Sequence, residues 1–208
     1  MIQRTAIVTG GSTGIGLACA QALMASGHRV AVGARRAGDA GVQAQVRDSL
    51  GKDVMIAALD VAVRASVDGF VAQVVEALGT PTILVNAAGI YREAFLHDHS
   101  DQAWDDQIEI NLSGAFRVTR AVMPHMMASG WGRIANIAST AGTSGERGYA
   151  AYCASKAGLI GLSKATAVEG APHGISCIAV SPTWVETPLV EDAFDRIAAA
   201  QGITRHAA

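Results

Sequence analysis

Short apolar runs alternate with longer segments of helical period along most of the chain. The runs are Thr5 to Thr9, Arg29 to Ala34, Val54 to Leu59, Ile83 to Asn86, Arg133 to Ile137 and Ile175 to Val180. Each is rich in Val, Ile or Ala with little polar alternation, as strands buried on both faces of a parallel sheet should be. The segments between them predict helices over Gly14 to Ala25, Gly38 to Leu50, Arg64 to Leu78, Asp101 to Ser129 and Ala150 to Gly170. Alternating strands and helices joined by right-handed crossovers give an α/β, Rossmann-type doubly wound sheet, with expected strand order 3-2-1-4-5-6. One more helix is expected near Pro188 to Ala200, and no repeat or interdomain linker interrupts the pattern.

Composition narrows the picture. The 208 residues suit a single domain spanning 1–208. Half of them are apolar and only 16% are charged, enough for a sizeable core and too little charge for a disordered chain. A net charge of −2, with no block of Lys and Arg, gives no footprint for nucleic acid. No signal-peptide pattern or membrane-length apolar run is present, so a cytoplasmic protein is expected. Cys19, Cys153 and Cys177 are widely spaced and read as free thiols. His97, His99, His125, His173 and His206 are scattered, so no metal site is expected. Met123, Met126 and Met127 read as core or interface filler.

The stretch Thr9-Gly10-Gly11-Ser12-Thr13-Gly14-Ile15-Gly16 lies between the first strand and the first helix. Glycines there allow a tight turn and bring backbone N–H groups close to a pyrophosphate at the positive end of the helix. About 20 residues further on, an acidic side chain would bind the ribose 2′-hydroxyl of NAD, whereas an Arg would accept a 2′-phosphate. The second strand ends Ala34-Arg35-Arg36, with no carboxylate at that place. A guanidinium pairs with phosphate through parallel hydrogen bonds. NADP(H) is therefore the expected cofactor, with NAD as the alternative, although Thr13 adds no second basic residue.

Tyr152 and Lys156 stand four residues apart on a predicted helix and so share a face. A free phenol, with a pKa of about 10, is a poor base at neutral pH, and a nearby ammonium favours its ionised form. Tyr149 lacks such a partner, because Cys153 follows it at that spacing. Ser139 follows the fifth strand, in the region where open α/β sheets place ligands, and could hold a substrate oxygen against Tyr152. Asn111 is a polar amide in an apolar helical stretch and needs a partner there.

With these motifs together, the sequence resembles the short-chain dehydrogenase/reductase family over essentially its whole length. The Thr-Gly-x-x-x-Gly-x-Gly turn and the Asn111, Ser139, Tyr152 and Lys156 set match that family's pattern. The resemblance implies that Tyr152 transfers the proton, Lys156 binds the nicotinamide ribose and lowers the Tyr152 pKa, Ser139 orients the carbonyl, and Asn111 holds a relay water. It implies cofactor contacts from the turn (Gly10, Ser12, Thr13, Gly14, Ile15 and Gly16), from Arg35 and Arg36, and from Asp60 and Val61 near adenine. Asp60 could instead cap the following helix.

Asn86, Ala87 and Gly89 resemble the family's Asn-Asn-Ala-Gly stretch, with Ala87 departing from the second Asn. Pro182, Val185 and Thr187 resemble the carboxamide-binding stretch, with Thr183 in place of a Gly. A left-handed backbone at that position would strain a β-branched residue. Trp184, Glu146 and Arg147 border the expected substrate mouth. The resemblance further implies a homodimer or homotetramer paired through the helices of Asn111 and Tyr152.

The nearest members in character are the 3-oxoacyl-(acyl-carrier-protein) reductases. The segments Trp184 to Val190 and Ala200 to Ile203 also look like those of 3-hydroxybutyrate dehydrogenases. The expected activity is NADP(H)-dependent reduction of a 3-oxoacyl thioester, with an NAD-dependent 3-hydroxybutyrate dehydrogenase as the alternative. Set beside that family, the sequence stops before the expected seventh strand. A truncated, inactive cofactor-binding protein is therefore a third expectation.

Overall fold

The computed structural model describes residues 2–185 together with Thr187, Glu191, Asp195, Ala198, Gly202 and Thr204. Six parallel strands form one sheet: β1 (Thr5–Thr9), β2 (Arg29–Ala34), β3 (Met55–Ala58), β4 (Pro81–Asn86), β5 (Gly132–Ile137) and β6 (Ile175–Val180). Their order is β3-β2-β1-β4-β5-β6, as the alternation of elements predicts. The chain reverses direction across the sheet between β1 and β4, and such a switch point opens a crevice at the strand C-termini.

Helices α1 (Gly14–Ala25), α2 (Ala40–Leu50), α3 (Arg64–Leu78), α4 (Asp101–Ile108), α5 (Gly114–Ser129) and α6 (Ala150–Gly170) connect the strands. Successive strand side chains face opposite ways, and the core divides accordingly. Ala6, Val8, Val30 and Val32 pack with Ala20 and Val46 on the side of α1 and α2. Ile7, Leu84 and Ile134 pack with Phe70, Val118 and Met126 on the side of α3 and α5. Among the described residues no helix is long and apolar enough to cross a membrane. All three cysteines are free thiols. Met126 is fully buried, whereas Met127 is exposed.

Two features depart from the sequence expectation. The single helix expected over Asp101 to Ser129 is two helices joined by a π-turn at Glu109–Ser113, which carries Asn111. A π-turn adds one residue and shifts the helical phase within an unbroken helical stretch, which contains no Gly or Pro break at Glu109–Ser113 to mark it. Burial on both faces holds for β1, β2 from Val30 onward, and β4, but not for β6. There Ser176, Ile178 and Val180 are exposed while Ile175 and Cys177 are buried. The helix expected near Pro188 to Ala200 falls mostly outside the described residues.

A buried polar network crosses the sheet beside the crevice. Asn86 Nδ2 donates to Asn136 Oδ1 (2.8 Å) and to Thr119 Oγ1 (3.0 Å), and Asn136 Nδ2 donates to Ser163 Oγ (2.8 Å). Removing one partner leaves the other desolvated and unpaired. Asn136→Ala is expected to lower stability by about 2 kcal/mol, read from the urea midpoint. A loss below about 0.5 kcal/mol would show that the network is not a stabilising brace.

Candidate active site

A cavity of about 460 Å³ opens at the switch point and joins the glycine turn to the start of α6. The turn exists because of its glycines. Gly10 has φ +63°, and a Cβ there would meet the Ala88 backbone at 2.8 Å; a Cβ on Gly16 would strike the Gly10 carbonyl. Thr13 is the N-cap of α1, yet its side chain accepts from none of the first-turn N–H groups. Thr9 Oγ1 accepts from the Ala87 and Ala88 N–H groups, each at 3.1 Å, and so ties the end of β4 to the turn.

Of the residues expected to contact a cofactor, Ser12, Gly14, Ile15, Val61, Ala87, Gly89, Pro182, Val185 and Thr187 line the cavity. Arg35 and Arg36 line it at the end of β2, both exposed. Arg36 is committed locally: it pairs with Asp39 at 2.9 Å and holds that carboxyl below its ordinary range. Arg35 makes no ion pair among the described residues. Asp60 also lines the cavity, and its Oδ1 accepts from the Ala62 N–H (2.9 Å) in the turn before α3. The α3 N-cap is Val63, so Asp60 braces that turn rather than capping the helix.

Asn86 is expected to pass the adenosine ribose through its backbone. Its side chain turns into the core network and is absent from the cavity wall. Thr183 does not adopt a left-handed backbone, so the strain foreseen there does not arise.

At the inner end, Ser139, Tyr152 and Lys156 share the cavity wall. Ser139 stands in extended conformation just past β5, where its Oγ accepts from the Ala141 N–H (3.2 Å). It also hydrogen-bonds the Tyr152 hydroxyl. Lys156 reaches back from α6 to donate to the Ile137 carbonyl (2.7 Å), with its ammonium 5.5 Å from the Tyr152 ring centre.

The electrostatics differ from the expectation of an acidified phenol. Burial pushes the Tyr152 pKa above its ordinary value and outweighs the opposing bond from Ser139. Burial also pushes Lys156 down to about 8. Depth of burial decides both shifts, and spacing along a helix cannot report it.

Asn111 is buried away from the cavity wall, with its carboxamide fully engaged. Its Oδ1 accepts from the Ile90 N–H (2.8 Å), and its Nδ2 donates to the Ile90 carbonyl (2.9 Å) and to Ser155 Oγ (3.1 Å). Gln107 makes a matching clasp on Arg92, accepting its N–H (3.0 Å) and donating to its carbonyl (3.3 Å). Sequence reasoning missed Gln107, because its burial is not written in the sequence. It also missed Tyr91, which stacks on Tyr149 (ring centres 4.8 Å apart) and meets Tyr152 edge-on (5.5 Å). Of the expected mouth residues, Trp184 lies edge-on to Tyr149 (6.5 Å), and Arg147 lies over Phe95 (4.8 Å).

The geometry can bind an extended nucleotide along the glycine turn and present a hydroxyl pair to a carbonyl at its inner end. Known proteins agree with that description. A family model described as short chain dehydrogenase matches residues 4–198. A putative ketoacyl reductase of the monensin polyketide synthase from Streptomyces virginiae is 44% identical over 208 residues, covering 98% of this chain and 79% of the relative. The D-beta-hydroxybutyrate dehydrogenase of Cupriavidus necator is 38% identical, covering 96% of this chain and 78% of the relative. A solved actinorhodin polyketide ketoreductase variant with NADPH superposes with TM-score 0.91 at 37% identity, covering 98% of this chain and 79% of that one. This chain belongs to the short-chain dehydrogenase family and is an NAD(P)-dependent oxidoreductase.

Proposed function

We propose that the chain reduces the keto group of a 3-oxoacyl thioester with NADPH. The observation that carries this reading is a single cavity whose wall joins the glycine turn and Arg35 to Ser139, Tyr152 and Lys156. The residues fit the coenzyme: the turn has no room for a Cβ at Gly10 or Gly16, and an exposed guanidinium stands where a 2′-phosphate would reach. Backbone N–H groups of the turn would hold the pyrophosphate, and Arg35 would take the 2′-phosphate. Asp60 and Val61 would flank adenine, Ala87 and Gly89 the adjoining ribose, and Lys156 the nicotinamide ribose. Pro182, Val185 and Thr187 border the carboxamide.

When bound, the coenzyme supplies the hydride to the carbonyl carbon. The Ser139 hydroxyl donates to the carbonyl oxygen, and Tyr152 delivers its proton to that oxygen as charge develops there. A phenol that burial keeps protonated suits this acid role in reduction. Asn111 positions Ile90 and Ser155 beside these groups. Exposed Phe116, Met127 and Val168 on α5 and α6 support pairing with a second copy of the chain.

The likeness to the Cupriavidus enzyme favours a second reading, NAD-dependent oxidation of 3-hydroxybutyrate. Initial rates with acetoacetyl-CoA and either NADPH or NADH separate the two. NADPH is expected to be preferred, and Arg35→Ala to lower kcat/KM for NADPH about tenfold while NADH changes less than about threefold. A strong NADH preference in the unaltered chain would remove the role given to Arg35.

A further inference from the structure

Gln107 and Asn111, four residues apart across the junction of α4 and the π-turn, each grip both backbone groups of one residue in the segment after β4. Asn111 holds Ile90 and Gln107 holds Arg92. Taking alternate residues in this way matches the pattern of an extended segment, in which successive side chains point to opposite sides. The residue left between them is Tyr91. The same segment is fixed further along, where the Ala94 N–H donates to the Gly148 carbonyl (3.0 Å) and Ala94 bridges Tyr149. Tyr91 is thereby held with its ring stacked on Tyr149 and edge-on to Tyr152.

Trp184 continues the aromatic surface from Tyr149 and leaves 53% of its own area exposed. Aromatic faces beside a reactive hydroxyl form a flat apolar wall, with polarity confined to the phenol oxygens. Gln107 is fully buried, and a buried amide is retained only where its partners repay its desolvation. Here those partners are the backbone of the segment carrying Tyr91.

We propose that Tyr91, Tyr149 and Trp184 form the substrate-selecting surface for 3-oxoacyl compounds whose keto carbon bears a flat apolar group such as an aryl ring, and that Gln107 is the positioning residue holding Tyr91 in place. This rests on the carbonyl-reductase reading above and narrows its substrate class.

The test uses the full chain with NADPH and two esters, ethyl benzoylacetate and ethyl acetoacetate. The unaltered protein is expected to show the lower KM for the aryl ester. Tyr91→Ala should raise KM for the aryl ester about five- to tenfold more than KM for the methyl ester, and Tyr91→Phe should restore the difference. Gln107→Leu should act in the same direction, yet add less than about twofold once Tyr91 is already Ala, because it acts through that ring. If Gln107→Leu does not fold, Gln107→Glu, which keeps an acceptor for the Arg92 N–H, carries the same comparison.

An unchanged KM ratio in Tyr91→Ala overturns the selecting surface. A Gln107 effect that persists in the Tyr91→Ala background overturns the positioning role. Failure of the unaltered chain to reduce either ester with NADPH or NADH counts against the reductase reading and removes this proposal with it.

Discussion

Tyr152→Phe is expected to lose at least about a hundredfold in kcat while still binding NADPH. The substitution removes one oxygen and leaves a ring of the same shape between Tyr91 and the ammonium of Lys156. The Ser139 hydroxyl would remain to orient a carbonyl, but the phenol that hands it a proton would be gone. Because burial keeps the phenol protonated, reduction should run well at neutral pH. Binding is read by quenching of protein fluorescence on adding NADPH, and turnover by loss of NADPH absorbance. Near-normal turnover by the Phe variant would refute the role given to Tyr152.

Lys156→Met is expected to lose a hundredfold or more in turnover and to keep or gain stability. Burial lowers the Lys156 pKa from its ordinary 10.5 to about 8. That drop corresponds to a burial cost of about 3 kcal/mol for the ammonium. Losing the bond to the Ile137 carbonyl offsets part of the relief, by about 1–3 kcal/mol.

The sign with pH follows from the same shift. Below about 8 both folded and unfolded chains hold the proton, and the burial cost is fully present. Between about 8 and 10.5 only the unfolded chain binds it, so this group's contribution to stability rises with pH. Reduction should instead decline above about pH 8, as the cation that binds the ribose is lost. A urea midpoint for Lys156→Met lower than that of the unaltered chain by more than about 1.5 kcal/mol would show that the ammonium stabilises the fold.

Strand order was legible because burial writes itself into sequence as apolar runs, and the sheet follows those runs from Thr5 to Val180. β3 and β5 are only partly covered, and β6 looks apolar in sequence yet exposes Ile178, since composition does not record whether a face is covered. The grouping of Ser139, Tyr152 and Lys156 was legible from a strand end and one helical turn. Less legible was anything set by depth. The Tyr152 shift depends on how much water the fold excludes, and the sequence does not report that Asn86 and Asn136 meet side by side in the sheet. Tyr91 is a single aromatic in a connecting segment, and only the clasp from Gln107 reveals its placement.

The extra residue in the π-turn at Glu109–Ser113 also sets the rotation between two helices. Each residue of an α-helix advances the chain by about 100°, so one added residue re-aims everything after it. Upstream, Gln107 faces the segment that carries Tyr91; downstream, Val118, Val122 and Met126 face the sheet. Shortening that turn by a single residue would swing the second set toward water while leaving the amino-acid composition almost untouched. In this stretch the length of the chain, more than the identity of its side chains, keeps the reaction mouth and the interior in step.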